Sequence, residues 1–211
     1  MASSVVPIGS RSGELRREET LLIEGPASLR ILSGGGTVFG AIVVEGEEIS
    51  VRRGKRLPLT PCTDRLNYEA KVGGDRIPMR VEGDAMPRSW KAAADAIARS
   101  KGRAVVLGGV DSGKTGFCTY LINRAVPSGA GGGYVDGDIG QPETGPPTTI
   151  TAVMASGQSY MLERLRASSM YFVGHTSPAH CQERVIDSIA RCARDLEGRG
   201  AELVVVNTDG W

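Results

Sequence analysis

Gly108-Gly109-Val110-Asp111-Ser112-Gly113-Lys114-Thr115 matches G-x-x-x-x-G-K-[ST], and its surroundings decide the fold. Ala104 to Leu107, just before it, is a short apolar run that reads as a strand. Just after it, Cys118, Leu121, Ile122 and Ala125 fall on one face of a helix. A glycine-rich turn between a strand and a helix is a phosphate cradle. Its glycines let backbone N–H groups turn inward, and the helix N-terminus adds partial positive charge. Gly108, Gly109, Val110, Asp111, Ser112, Gly113, Lys114, Thr115 and Gly116 are therefore the nucleotide-binding candidates. Lys114 is expected to reach the β- and γ-phosphates of ATP, and Thr115 to offer its hydroxyl to Mg²⁺. Gly116 is unusual inside a helix, where Gly costs about 1 kcal/mol relative to Ala, although less in a first turn.

About twenty residues downstream lies Tyr134-Val135-Asp136-Gly137-Asp138-Ile139-Gly140-Gln141. An apolar strand here delivers two carboxylates to its C-terminal edge, where open α/β sheets bind their ligands. One carboxylate is placed to hold Mg²⁺ through water, and the other to accept a proton from an attacking hydroxyl. Paired with the phosphate loop, this D-x-D reads as its Walker B partner.

The same texture extends on both sides. Trp90, Ala93, Ala94, Ile97 and Ala98 follow Ser89, a plausible N-cap, at the spacing of an amphipathic helix. Met170 to Val173 and Leu203 to Val206 read as strands, and Val185, Ile186, Ile189, Cys192, Ala193 and Leu196 as a helix ended by Gly198. Apolar strands alternating with helices predict a parallel sheet with helices on its faces, so residues 89–211 are read as a P-loop α/β domain. The sequence stops just past the last of about four strands, and this domain is expected to be incomplete at its C-terminus. Upstream, Leu29 and Ile31 flank Arg30, and Ile49 and Val51 flank Ser50, the period-two alternation of half-buried strands. Gly25-Pro26, Gly34-Gly35-Gly36, Gly46 and Arg53-Gly54 punctuate that region as turns. Residues 17–72 are thus expected to form a small all-β domain, residues 1–16 a disordered leader, and residues 73–88 a linker.

Composition limits the partners. Lys and Arg total 25 against 24 Asp and Glu, a formal net charge of +1. Non-specific nucleic-acid binders are usually more basic, so nucleic-acid contact is expected in a local groove. Aromatic content of 5% argues against a broad stacking platform. No apolar segment resembles a signal peptide or a membrane span. Cys62, Cys118, Cys181 and Cys192 form no CxxC pair and read as free thiols of a reducing compartment, the cytoplasm or, in a eukaryote, the nucleus. Trp90 sits on an apolar helix face and reads as core. His175 and His180 flank a turn, where a carboxylate base leaves them no proton to move. Arg52-Arg53 and Lys55-Arg56 read as a solvated turn.

Taken together, these segments resemble the polynucleotide 5′-hydroxyl kinases, the family of the kinase subunit of the messenger-RNA cleavage machinery and of the ribosomal-RNA processing kinases. Asp136-x-Asp138-x-Gly140-Gln141 has the form of that family's Walker B. Tyr171-Phe172-Val173-Gly174-His175-Thr176-Ser177-Pro178 is similar to its strand ending in Thr-Ser-Pro. Asn207-Thr208-Asp209-Gly210-Trp211 is similar to its T-x-G-W clasp, and Gly25-Pro26-Ala27 through Val38-Phe39-Gly40 to its N-terminal β domain. The resemblance implies that Lys114 and Thr115 hold ATP and Mg²⁺, with Asp136 and Gln141 near the metal. It implies that Asp138, first residue of D-x-x-Q, deprotonates the 5′-hydroxyl. Thr176 and Ser177 would line the nucleic-acid backbone, and Trp211 would stack on a base near the 5′ end. In the family an arginine-bearing lid and a C-terminal domain follow the clasp. The resemblance stops short of both, which bears on turnover, since positive charge must close over the γ-phosphate, more than on ATP binding.

The reading is ATP-dependent transfer of a γ-phosphate to the 5′-OH of single-stranded RNA or DNA, in company with subunits of an RNA-processing complex. The rivals are an ATP-bound, non-catalytic scaffold subunit of such a complex, and a switch-type NTPase acting on proteins.

Overall fold

A computed structural model describes residues 8–74, 76–129 and 131–210. The chain divides into two compact units, 1–87 and 88–211.

The first unit is all β. Its strands are β1 (Ile8–Arg16), β2 (Glu19–Glu24), β3 (Ala27–Ser33), β4 (Gly35–Val38), β5 (Ala41–Val44), β6 (Glu48–Val51), β7 (Arg56–Pro61), β8 (Arg65–Gly73) and β9 (Met79–Glu82). They form two antiparallel sheets, in the orders β1-β8-β3-β6 and β5-β4-β7-β2-β9. The alternation read from sequence sets the faces. Leu29 and Ile31 are buried while Arg30 is exposed, and Ile49 and Val51 join them in a core with Leu15, Leu21, Leu59 and Leu66.

Two expectations are corrected here. Residues 8–16 of the expected leader are a strand, paired along its length with β8 from Ile8↔Gly73 to Arg16↔Arg65. The remainder of that leader, 1–7, lies outside the described residues. The expected linker contributes β9, paired with β2 from Glu19↔Glu82 to Leu22↔Met79. Both are edge strands. One partner and main-chain hydrogen bonds suffice to hold them, so they need no apolar alternation, and β1 buries Leu15 alone among its described side chains.

The second unit runs α1 (Arg88–Ser100), β10 (Gly102–Val106), α2 (Lys114–Ala125), β11 (Gly132–Gly137), β12 (Thr149–Ala155), β13 (Ser169–Phe172), α3 (Gln182–Gly198) and β14 (Leu203–Thr208). One sheet takes the order β10-β14-β11-β12-β13. β14 runs parallel to both of its neighbours, which places a late strand between the phosphate-loop strand and the Walker B strand. The sheet is mixed rather than wholly parallel, because β12 is antiparallel to β11 and to β13. The sequence pattern does not reveal β12, Thr149-Ile150-Thr151-Ala152-Val153-Met154-Ala155. Its threonines face a buried polar layer that looks like solvent in the sequence, and Thr151 is fully buried.

Helices cover both faces of this sheet. Cys192, Ala193 and Leu196 of α3 pack against Val135, Ile150, Ala152, Val204 and Val206. On the opposite face the Cys118 thiol of α2 meets Asn207 at 3.8 Å. α1 packs on α2. All four cysteines are free thiols, and among the described residues no helix is long and apolar enough to cross a membrane.

Candidate functional site

The site grows from the C-terminal ends of three parallel strands. β10 leads into the loop 107–113, whose turns need glycine. Gly113 has φ +90°, and a Cβ there would stand 3.2 Å from the Trp90 ring. At Gly108 a Cβ would stand 2.7 Å from Ser112 Oγ. Trp90, expected in the core, is half-buried against this loop and meets the Phe117 ring edge-on at 5.3 Å. A cleft of about 670 Å³ opens here, lined by Trp90, Ile97, Phe117, Gly108, Gly113 and Lys114 among others. Lys114 folds over its own loop, donating from Nζ to the carbonyls of Gly108 at 2.9 Å and Gly109 at 2.7 Å. Thr115 Oγ1 accepts from Asn207 Nδ2 at 3.5 Å.

β11 carries the two carboxylates, and they differ in environment. Asp136 is fully buried. Its Oδ2 accepts from the Glu143 N–H at 2.6 Å, the Thr144 N–H at 2.9 Å and the Thr144 hydroxyl at 3.2 Å, while Oδ1 has no partner among the described residues. Burial pushes its pKa up against those hydrogen bonds. Asp138, half-buried, accepts at Oδ1 from the N–H groups of Gly140 at 3.1 Å and Gln141 at 2.8 Å. That turn sets Gln141, which is exposed. Asp136 is thus built into the wall, and Asp138 stands at its rim.

Residues 108–211 match the family of mRNA cleavage and polyadenylation factor CLP1 P-loop domains. Over that stretch the chain resembles the polynucleotide 5′-hydroxyl kinase family. A polyribonucleotide 5′-hydroxyl-kinase of Methanocaldococcus jannaschii is 32% identical over 108 residues, covering 51% of this chain and 30% of the relative. A CLP1 homolog of Nematostella vectensis is 27% identical over 203 residues, covering 88% of this chain and 47% of the relative. A wild-type Clp1p–Pcf11p complex contains a chain of the same fold, with a TM-score of 0.76 at 14% identity, over 96% of this chain and 54% of that one. The chain therefore spans about a third to a half of the length of these relatives.

The family's other motifs converge on the same edge. The segment like Thr-Ser-Pro follows β13, and a Cβ on Gly140 would stand 3.1 Å from the Thr176 carbonyl, so this turn lies against the Asp138 loop. Thr176 is exposed, and the Ser177 carbonyl accepts from the Cys181 thiol at 3.6 Å. The His175 and His180 rings meet beside it at a tilt of 42°, with centroids 4.5 Å apart. The clasp segment lies on the phosphate loop, because a Cβ on Gly210 would stand 2.7 Å from Val110 Cα and 2.8 Å from its nitrogen. Trp211 itself lies outside the described residues.

Sequence reading gives no role to two residues that the sheet order brings in. Asn207 is 1% exposed, paired with Val106 on one side and Asp136 on the other, and its side chain touches both Thr115 and Cys118. Asp209 stands one residue past the pair Gly137↔Thr208, as Asp138 does, so the two carboxylates follow the ends of neighbouring strands. Burial holds Asp209 above the usual carboxylate range, the Asp138 charge adds to this, and Lys114 opposes it. The signal that could have found both is an apolar strand ending in polar residues, Leu203-Val204-Val205-Val206-Asn207-Thr208-Asp209.

Gly210→Val tests the contact with the loop. The added side chain meets Val110 backbone, so the loop must move, and ATP affinity should fall about tenfold or more, ~1.4 kcal/mol, at unchanged helicity. Equal affinity in calorimetry would mean that the clasp segment does not shape the loop.

Proposed function

We propose that this chain carries the ATP-binding and phosphoryl-transfer site of a polynucleotide 5′-hydroxyl kinase, which moves the γ-phosphate of ATP to the 5′-OH of RNA or DNA. One observation carries the reading: the P-loop, the D-x-x-Q carboxylate and the T-x-G-W segment end adjacent parallel strands, with Gly210 against Val110. Phosphoryl transfer is mostly positioning and charge stabilisation, and this arrangement supplies both. On ATP binding, Lys114 exchanges the carbonyls of Gly108 and Gly109 for β- and γ-phosphate oxygens. Asp138 accepts the proton of the 5′-hydroxyl as that oxygen attacks the γ-phosphorus in line, and ADP leaves. Its Oδ1 is anchored by the Gly140 and Gln141 N–H groups, which fixes the carboxyl plane.

The donor set suits Mg²⁺. Thr115, Asp136 and Gln141 offer oxygen ligands, and among the described residues Asp136 Oδ1 is a buried acceptor without a partner, suited to a metal-bound water. Among the described residues no three His, Cys, Asp or Glu form a metal cluster. That fits a cation bound mainly through phosphates and water rather than by a protein cage. When bound, Mg²⁺ neutralises charge developing on the phosphates. Thr176 and Ser177 would line the nucleic-acid backbone, and Trp211 would stack on the 5′-terminal base. We assign the chain to an RNA-processing assembly of the cytoplasm or, in a eukaryote, of the nucleus.

The decisive experiment offers a 5′-hydroxyl oligonucleotide and γ-labelled ATP to this chain and to any longer version of its gene. Label on the oligonucleotide is expected in the version that closes over the γ-phosphate. ATP binding without labelling in every version would make the protein a nucleotide-bound scaffold. ATP hydrolysis stimulated by a protein but not by oligonucleotide would make it a switch.

A further inference from the structure

β13 is one of the two edge strands of its sheet, and it ends in an aromatic ring turned to solvent. Phe172 is 76% exposed, the more so for lying next to the fully buried Val173. Large apolar side chains at that exposure are ordinary when they stand singly. The surroundings of this one are specific. Gly174, with φ +80°, turns the chain from β13 into the Thr-Ser-Pro segment, and a Cβ there would stand 3.5 Å from the Phe172 ring and 3.6 Å from Arg184 Nη1. Ring and guanidinium thus converge on one glycine. The tilted ring pair His175 and His180 lies just beyond it.

This cluster is continuous with the acceptor side of the proposed reaction. Thr176 presses its carbonyl on Gly140, whose N–H is bound by Asp138. Thr176 is four residues from Phe172, roughly 14 Å at most. A polynucleotide with its 5′ end at Asp138 that follows this turn passes the ring within a short run of nucleotides. Net charge does not draw it there, since Glu183 adjoins Arg184 in sequence and the Asp187 carboxylate is held by Arg191 at 2.8 Å. What the spot offers is flat surface, an aromatic face and a guanidinium plane, and those recognise nucleobases by stacking without regard to sequence.

We infer that Phe172 and Arg184 form a nucleobase seat for the single-stranded substrate, on the 3′ side of the nucleotide that receives the phosphate. The inference rests on the kinase reading and extends it from the reacting end of the substrate to its body.

The test measures binding to the 211-residue chain in the presence of ATP·Mg. The ligands are a 5′-hydroxyl hexanucleotide, its single-abasic derivatives and a nucleoside 3′-monophosphate. Phe172→Ala should weaken the hexanucleotide about five- to 150-fold. It should leave ATP and the nucleoside 3′-monophosphate unchanged, and Phe172→Trp should restore the affinity. One abasic position should reproduce the loss in the parent and add nothing in Phe172→Ala, which identifies the stacked base. Equal hexanucleotide affinity in parent and Phe172→Ala overturns the seat and leaves the kinase reading standing, with the ring free for a protein partner. An equal loss for the nucleoside 3′-monophosphate overturns it as well, because the ring would then act on the acceptor site. A parent that binds ATP but no oligonucleotide overturns the substrate reading and the seat with it.

Discussion

Asp138→Asn should lower phosphoryl transfer by about 10²–10⁴-fold, the usual contribution of a general base, while ATP affinity stays close to that of the parent. The substitution isolates the proton-accepting role. The amide oxygen of Asn can accept from the Gly140 and Gln141 N–H groups as Oδ1 does, so the turn should survive. What is lost is the negative charge and the basic oxygen. The measurement is single-turnover labelling of a 5′-hydroxyl oligonucleotide, in a form of the protein that transfers phosphate. A rate equal to the parent's would remove Asp138 as base. Asp209 would then be tried before Asp136, because Asp209 ends the neighbouring strand at the rim, whereas Asp136 is sealed in the wall with Oδ2 held by three donors.

Lys114→Ala should abolish tight ATP·Mg binding, a loss on the order of 100-fold or more, since a charge-assisted contact to each of two phosphates disappears. The fold should persist. Among the described residues Lys114 Nζ bonds to carbonyls of its own loop, and the helix it opens is held by Cys118, Leu121, Ile122 and Ala125 on the core side. Calorimetry with ATP and circular dichroism of the same sample separate the two effects. Unchanged nucleotide affinity would sink the P-loop assignment and every role that depends on it.

Lys114 and Asp138 are both legible in the sequence, and the reason is local. A phosphate loop is a contiguous stretch whose glycines, lysine and threonine work at fixed sequence offsets. The turn after β11 likewise places Asp138 three residues from Gln141. The faces of the β unit are legible where Leu29, Ile31, Ile49 and Val51 alternate with polar neighbours. The edge strands are not, because β1 and β9 are held by main-chain bonds to one partner and their side chains carry little pattern. β12 escapes a pattern reading because its threonines are buried in a polar layer, and polarity alone does not reveal whether a hydroxyl faces solvent or a buried carboxylate.

By itself, then, the sequence determined the identity and order of the chemistry: a phosphate loop, a carboxylate turn, a Thr-Ser-Pro segment and a Thr-x-Gly-Trp end. Only tertiary structure decided which of these meet. Threading β14 between β10 and β11 sets Asn207 on Thr115, Asp209 beside Asp138 and Gly210 on Val110, across separations of about seventy to a hundred residues. Which carboxylate is walled in and which stands at the rim also follows from that packing, since burial is a property of the neighbours and not of the motif.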